Sequence, residues 1–152
     1  MAPPVARVKT IRSRELDPER VVRSEADLVD VDAIVWLAST DLGKLLRRKW
    51  KDLRRELPVF FPMQVEPSDE PLDRVMVRGR LDVMVPTEDG LVLVDYKTDR
   101  VTRDTIEARA EFYRSQVESY SRAIEAIVGE RVGAAYLAFL HARELRTVKN
   151  SA

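Results

Sequence analysis

Several residue types that often carry catalysis are absent or rare in this 152-residue chain. It has no cysteine, which excludes disulfides, thiolate zinc sites, iron–sulfur clusters and cysteine nucleophiles. Its single histidine, His141, argues against a Ser-His-Asp triad and against a metal site built from several histidines. The sequence also contains no G-x-x-x-x-G-K-[ST] motif and therefore no P-loop of that form.

Long apolar runs and an excess of one charge are absent as well. No run approaches the roughly 20 residues that span a bilayer, and the N-terminus lacks the apolar stretch of a signal peptide. The 26 lysines and arginines balance 26 aspartates and glutamates, which excludes binding to nucleic acid by bulk charge alone. We therefore expect a cytoplasmic protein without a membrane partner, in which any anion site is local.

The length suits a single domain. Residues 1–29 are polar and highly charged, and we interpret them as an arm or domain edge, with their order left open. Residues 30–152 are expected to form the folded domain. It begins with a helix over 31–38 and a second over 41–55, which Ser39, Thr40 or Asp41 could cap.

The helix expected over 41–55 has two contrasting faces. Its apolar face comprises Leu42, Leu45, Leu46, Trp50 and Leu53. Its basic face includes Lys44, Arg47, Arg48, Lys51, Arg54 and Arg55. The basic face is either simply solvated or a surface whose Lys44, Arg47, Arg48 and Lys51 contact phosphates.

Strand patterns dominate the middle of the chain. Two prolines make 58–65 an edge strand, and 75–85 alternates as a half-buried strand. A hairpin loop at 87–90 leads to 91–94, which is apolar on both faces and therefore central.

The last third of the chain predicts one long helical segment and further strands. The helix spans 103–128, broken near 110–112, and Gly129 ends it. Strands follow at 134–140 and 144–148. The order α, β, β, β, α, β predicts an α/β fold with a mixed sheet flanked by helices.

Two carboxylates occupy unexpected positions in the predicted sheet. If residue 86 pairs with residue 91 across the hairpin, Asp82 lies opposite Asp95 on one face of the sheet. Directly opposed like charges destabilise a sheet unless they share a proton or a cation. Lys97, two residues beyond Asp95, falls on the same face, and Gly79 nearby would let another chain or a ligand approach closely.

Carboxylate oxygens suit Mg²⁺ or Mn²⁺. Two of them beside a lysine have the parts for phosphodiester hydrolysis, in which the metal acidifies water and neutralises phosphate charge while the lysine orients the nucleophile or stabilises developing charge. The alternative is a surface ion pair between Asp95 and Lys97 at a strand end.

Three motifs in this order carry a family resemblance: G-R-L-D at 79–82, D-Y-K-T-D at 95–99 and Q-V-E-S-Y at 116–120. Together they resemble the PD-(D/E)xK nuclease superfamily, and more narrowly the RecB/AddA-type C-terminal nuclease domain of bacterial ATP-dependent helicase–nucleases. The resemblance implies a restriction-endonuclease-like αβββαβ core.

The resemblance also implies roles for single residues. Asp82 and Asp95 would bind Mg²⁺ together with the Tyr96 backbone carbonyl, Mn²⁺ being a substitute, and Lys97 would be the catalytic lysine. Gln116 and Tyr120, four residues apart on one helix face, would position DNA, although a core-facing tyrosine stripe explains them too. Glu56 resembles an acidic residue ahead of the first core strand, or is a plain solvated glutamate.

The implied function is that of a deoxyribonuclease, an exonuclease acting in double-strand-break repair and recombination. Its partners would be single-stranded DNA ends, a helicase domain of the same parent chain and a second nuclease subunit; residues 30–152 would then be a fragment of that parent. These nucleases usually carry a histidine on a helix ahead of the motifs, whereas His141 follows them. The alternatives are a catalytically inactive nuclease-like fold that binds DNA or a partner subunit, and a metal-independent adaptor. We expect the chain alone to be a weak nuclease.

Overall fold

A computed structural model describes residues 30–64 and 74–150. The arm expected at 1–29 lies outside the described residues. In chain order the elements are α1 (Val31–Ser39), α2 (Asp41–Arg48), β1 (Arg54–Gln64), β2 (Arg74–Thr87), β3 (Gly90–Lys97), α3 (Ile106–Val128), β4 (Val132–Phe139) and β5 (Glu144–Asn150). Among these elements, no helix has the length and apolar character needed to cross a membrane.

The five strands form one mixed sheet in the order β1-β2-β3-β4-β5. β3 and β4 are parallel and the other neighbours are antiparallel, because α3 carries the chain back across the sheet between β3 and β4. The sheet and its helices confirm the predicted α/β class. They also confirm that β1 is an edge strand, although it starts at Arg54 rather than at residue 58.

Each face of the sheet has its own hydrophobic cluster. Leu91 and Leu93 of β3 pack in the cluster that includes α3, and Val92 and Val94 pack in the cluster that includes α2. β3 is therefore buried on both sides, as its unbroken apolar run predicts.

The hairpin between β2 and β3 has the predicted register. Pro86 pairs with Leu91, and the pairing continues to Val83 opposite Val94. The turn is tighter than the expected four-residue loop, because Thr87 and Gly90 already pair with each other. Gly90 has φ 112°, a left-handed conformation that glycine adopts without strain.

The helix predicted over 41–55 is too long. Thr40 caps α2 through its hydroxyl, which accepts a hydrogen bond from Gly43 N–H at 3.0 Å, but the helix ends at Arg48. Cations four residues apart along 44–51 repel one another and weaken a further turn. The chain instead enters β1 at Arg54, and Trp50, expected on the apolar face, is 63% exposed.

The break predicted near 110–112 is also wrong. α3 is continuous over 23 residues, and Phe112 is simply exposed on its outer surface. Nothing in that stretch removes a backbone hydrogen bond as proline would. The irregular apolar pattern therefore leaves an apolar side chain exposed to solvent but does not interrupt the helix. Gly129 ends the helix with φ 77°, as predicted. The strand predicted at 144–148 is confirmed as β5.

Candidate active site

The side chains of β1 and β2 switch from one face of the sheet to the other at Glu56 and Asp82. Leu81 belongs to the hydrophobic cluster on the α3 side, whereas Val83, two residues on, belongs to the cluster on the α2 side. Residues two apart in a regular strand share a face, so β2 turns over at Asp82. Glu56, between the residues paired with Leu81 and Val83, has φ 53°, in the left-handed region. The irregularity places Asp82 where the pairing with β3 ends.

The Asp82 side chain substitutes for a backbone partner at that point. Its Oδ2 accepts a hydrogen bond of 2.6 Å from the backbone N–H of Tyr96, one residue beyond Asp95. Partial burial raises the pKa of Asp82 above its ordinary value; the Tyr96 N–H opposes that rise, and the neighbouring Asp95 carboxylate adds to it by repulsion and by hydrogen bonding. The two carboxylates therefore meet at the end of the β2–β3 ladder.

Asp95 is the buried member of the pair, with 5% of its surface exposed. Its Oδ2 lies 2.6 Å from Lys97 Nζ in an ion pair that is itself largely buried. The same oxygen nevertheless receives no well-aligned hydrogen bond from the described residues. A buried anionic oxygen without a directional donor is costly, because the carboxylate has lost water without full replacement.

Lys97 is held by α3. Its Nζ donates a hydrogen bond to Gln116 Oε1 at 3.2 Å and lies 3.9 Å from the centre of the Tyr113 ring. The Tyr113 hydroxyl in turn donates to the Asp99 carboxylate, at 3.1 Å from Oδ2. The ammonium group thus has a defined position between Asp95, Gln116 and an aromatic face.

Tyr120 supports this arrangement from below. Gln116 Nε2 donates to the Tyr120 hydroxyl at 2.9 Å, and Tyr120 is almost fully buried. A Cβ atom at Gly79 would overlap that hydroxyl. Gly79 therefore makes room for a tyrosine of the same chain, not for the external chain or ligand expected from the sequence.

The remaining predicted residues are dispersed. Glu56 forms an exposed ion pair with Arg80 at 2.9 Å and lines a cleft that also contains Asp82. Arg47 lines the same cleft. Lys44 instead pairs with Asp41, and Arg48 lines a separate cleft beside the β2–β3 turn. Of the four proposed phosphate contacts, the structure brings only Arg47 to the cleft that contains Asp82.

Sequence reasoning missed two contributions. The aromatic support of Lys97 by Tyr113 was detectable in the spacing of Tyr113, one helical turn before Gln116. The anchoring of Tyr113 by Asp99 depends on how residues 98–105 cross from β3 to α3, for which the sequence carries no signal.

Lys51, which was predicted from the sequence to be a phosphate contact, lies 5.6 Å from the centre of the Trp50 ring.

The carboxylates have the chemistry of a divalent-cation site. Asp82 and Asp95 repel each other, and the Asp95 oxygen lacks a directional partner; a hard cation would relieve both. The described ranges contain no cluster of three or more histidine, cysteine, aspartate or glutamate side chains in a metal-binding arrangement. The site thus offers two carboxylates, which suits a cation that keeps water or phosphate oxygens as its other ligands.

Comparison with known proteins identifies the class to which this fold and site belong. The chain belongs to the PD-(D/E)XK nuclease superfamily, whose family model matches residues 5–152. Nucleases of this superfamily generally use divalent metal ions.

Its relatives include the A subunits of bacterial ATP-dependent helicase/nucleases. The chain is 38% identical to that of Desulforudis audaxviator over 138 residues, which are 87% of this chain and 11% of the relative. It is 35% identical to that of Moorella thermoacetica over 132 residues, 82% of this chain and 9% of the relative. It is 30% identical to that of Listeria monocytogenes serotype 4b over 138 residues, 84% of this chain and 11% of the relative. The chain therefore spans only a small part of these relatives' length.

Proposed function

We propose that this chain contains the Mg²⁺-dependent nuclease domain of a helicase–nuclease, and that it hydrolyses phosphodiester bonds in DNA as an exonuclease. The observation that carries the proposal is the convergence of Asp82, Asp95 and Lys97 at one end of the β2–β3 ladder, with a buried Asp95 oxygen that lacks a directional donor. A structural ion pair would not need a second carboxylate beside it, because that carboxylate only adds repulsion.

Asp82, Asp95 and the Tyr96 carbonyl are the groups that would hold the cation. When bound, a divalent ion would neutralise charge on the scissile phosphate and increase the acidity of the attacking water. The Tyr96 N–H fixes Asp82 by a hydrogen bond of 2.6 Å, so one proposed ligand is oriented before any ion arrives.

Lys97 would act on the phosphate. Its ammonium group is positioned by Asp95, Gln116 and the Tyr113 ring, and a fixed cation is well suited to stabilise negative charge that grows on phosphate oxygens during hydrolysis. Gln116 and Tyr120 then serve as positioning residues for Lys97, since each acts through the next in a series of hydrogen bonds.

The helicase/nuclease name of the relatives supports the wider setting. A helicase in the same parent chain would deliver a single strand with a free end, and tethering would raise the local concentration of substrate. Residues 30–152 would then be the nuclease domain of a larger protein that acts with a second subunit in double-strand-break repair and recombination.

The experiment compares wild type, Asp95→Asn and Lys97→Ala on end-labelled single-stranded DNA with Mg²⁺, Mn²⁺ or EDTA. We expect no cleavage by Asp95→Asn and a loss of about 10²–10³-fold for Lys97→Ala. Gln116→Ala should lose less. Asp104→Asn, an exposed carboxylate outside the site, is the matched control and should cleave as wild type does.

Circular single-stranded DNA tests the exonuclease assignment. An enzyme that needs an end leaves the circle intact, so cutting of the circle would replace the exonuclease proposal by an endonuclease one. Cleavage that persists in Asp95→Asn would contradict the proposed site altogether.

A second candidate is an inactive nuclease fold that binds DNA or a partner subunit. It is favoured by the absence, within the described ranges, of a third acidic or histidine side chain arranged with the carboxylates to hold a metal ion. For the same reason we expect cleavage by the chain alone to be slow, stronger with Mn²⁺ than with Mg²⁺, and limited to low salt. Metal-stimulated DNA binding with no cleavage under any of these conditions would favour the second candidate.

A further inference from the structure

A cleft of about 570 Å³ opens beside Asp82, on the α2 side of the sheet. Asp82 and Glu56 contribute to its wall near the strand irregularity. Trp50, Arg47 and Arg55 also line it. Such a volume matches the clefts that take small organic groups, and one nucleotide falls in that class.

Trp50 is the unusual member of this lining. It follows the end of α2 and leaves 63% of its surface exposed, although tryptophan is generally among the most buried residues by area. Exposed aromatic rings are the common platforms on which proteins stack unpaired bases, because every base has a flat face irrespective of sequence. The cleft therefore offers a stacking surface close to a proposed cation ligand.

The charge of the cleft supports the same occupant. Arg47 and Arg55 form no ion pair with any described residue, while Glu56 is already paired with Arg80. Two unpaired guanidinium groups suit phosphate, to which arginine can donate two parallel hydrogen bonds. An apolar protein segment would fit Trp50 but would leave both guanidinium groups without partners.

We propose that this cleft is a nucleotide subsite for single-stranded DNA, in which Trp50 stacks on an unpaired base and Arg47 and Arg55 contact the flanking phosphates. The inference deepens the proposed nuclease function and rests on it for the identity of the nucleic acid. Asp82 lies in the same cleft, so a base held by Trp50 places a neighbouring phosphodiester bond next to Asp82. Trp50 is a positioning residue in this arrangement, and it selects unpaired over paired strands.

The test is binding of an oligothymidylate to the full chain in EDTA, where cleavage cannot interfere. In a Trp36→Phe background, Trp50 is the remaining tryptophan, and stacking should quench its fluorescence as oligonucleotide is added. Trp50→Ala should weaken binding about tenfold or more, and Trp50→Phe should weaken it less. Phe112→Ala removes an equally exposed aromatic residue on α3 and should leave binding unchanged.

Two further measurements sharpen the result. Asp82→Asn should strengthen binding in EDTA, because it removes a negative charge from the cleft that faces the phosphates. A relaxed, covalently closed circular duplex, which has neither ends nor unpaired loops, should bind wild type and Trp50→Ala equally. Equal affinity of wild type and Trp50→Ala for the oligonucleotide, or no binding by wild type, would overturn the subsite.

The outcomes separate this inference from the nuclease proposal. Trp50-dependent binding without any cleavage would retain the subsite and reject the nuclease function. Cleavage that depends on Asp95 but not on Trp50 would retain the nuclease and reject the subsite. A wild-type dimer that Trp50→Ala converts to monomer, with DNA affinity unchanged, would make the cleft an interface between copies and overturn the proposal.

Discussion

Two charged groups of residues, at opposite ends of β4, use similar side chains in opposite ways. At the start of β4, Glu125 Oε1 accepts hydrogen bonds from Lys149 Nζ at 2.6 Å and from the Val132 N–H at 2.8 Å. At the other end, beside the close of β3, Asp95 has one ion-pair partner, Lys97, and a second carboxylate, Asp82, as its neighbour.

The difference is visible in the direction of the pKa shifts. Burial tends to raise the pKa of Glu125, but the hydrogen bonds from Lys149 and Val132 outweigh it, and the pKa lies below its ordinary value. Burial and the Asp95 charge keep the pKa of Asp82 above its ordinary value. The Glu125 centre is satisfied within the protein and joins α3 to β4 and β5. The Asp82–Asp95 centre has a repulsion that a bound cation would relieve.

The largest expected effect comes from removing the lysine of the unsatisfied centre. Lys97→Met leaves Asp95 buried without a counter-charge and should lower the free energy of unfolding by about 3–5 kcal/mol in EDTA. Urea denaturation measures it. Lys149→Met at the satisfied centre, where both side chains are about one-third exposed, should cost only about 1 kcal/mol.

The double variant Lys97→Met/Asp95→Asn provides the control for that experiment. It removes the stranded charge and should recover most of the lost stability. Equal losses for Lys97→Met and Lys149→Met, or no recovery in the double variant, would show that the two centres do not differ as proposed.

A smaller effect tests whether the packing of Tyr120 against Gly79 also stabilises the fold around the Asp82–Asp95 centre. Gly79→Ala forces a methyl group onto the Tyr120 hydroxyl and should cost about 1–3 kcal/mol in thermal or urea unfolding. In a Tyr120→Leu background the same substitution should cost clearly less, since the overlapping atoms are gone. Additive losses would mean that Gly79 matters for another reason.

The satisfied centre should respond to acid. Glu125→Gln weakens two charge-assisted hydrogen bonds and should cost about 1–2 kcal/mol at pH 7. Because folding lowers the pKa of Glu125, its contribution is present above the ordinary glutamate pKa of 4.5 and is lost as pH falls through the lower folded value. The gap between wild type and variant should therefore close below that range; a gap that is constant with pH would contradict the assignment.

The smallest effect has the opposite sign. Asp82→Asn keeps an oxygen that can accept from Tyr96 N–H but removes the repulsion with Asp95, and should stabilise the metal-free protein by about 0.2–1 kcal/mol at pH 7. Folding raises the pKa of Asp82 above 3.8, so wild-type stability falls as pH rises through that window and the advantage of the variant grows. Millimolar Mg²⁺ should reverse the ranking, because a cation that binds only the folded wild type stabilises it. A destabilised variant in EDTA would show that the Asp82 charge is already compensated.

Much of this arrangement was predictable from local patterns. The two-sided apolar run of β3 predicted a central strand, and the short hairpin fixed a register that the structure confirms from Thr87 to Val83. The register in turn predicted that Asp82 and Asp95 approach each other. The central strand and the hairpin register could be predicted because each depends on residues that are close together in the sequence.

The predictions failed where contacts between residues distant in the sequence determine the local structure. Period two predicts that Leu81 and Val83 share a face, but β2 turns over between them, opposite the left-handed Glu56. The end of α2 at Arg48 reflects the entry of Arg54 into β1, which helical periodicity does not report. The partner of Gly79 is a tyrosine 41 positions along the chain, in α3, beyond the reach of any local rule.

The prolines of β1 have a consequence for self-association. β1 is an outer strand of the described sheet. Backbone N–H directions alternate along a strand, so the nitrogens of residues 58, 60 and 62 all point to the same side of β1. Pro58 and Pro62 have no N–H to donate, and because both are tolerated in the ladder with β2, that row is the free edge. A second copy of the chain that tried to add a strand there would find no N–H donor at two of the four positions 58, 60, 62 and 64. Within the residues that the structure describes, β1 thus resists edge-to-edge pairing on the side that faces away from β2.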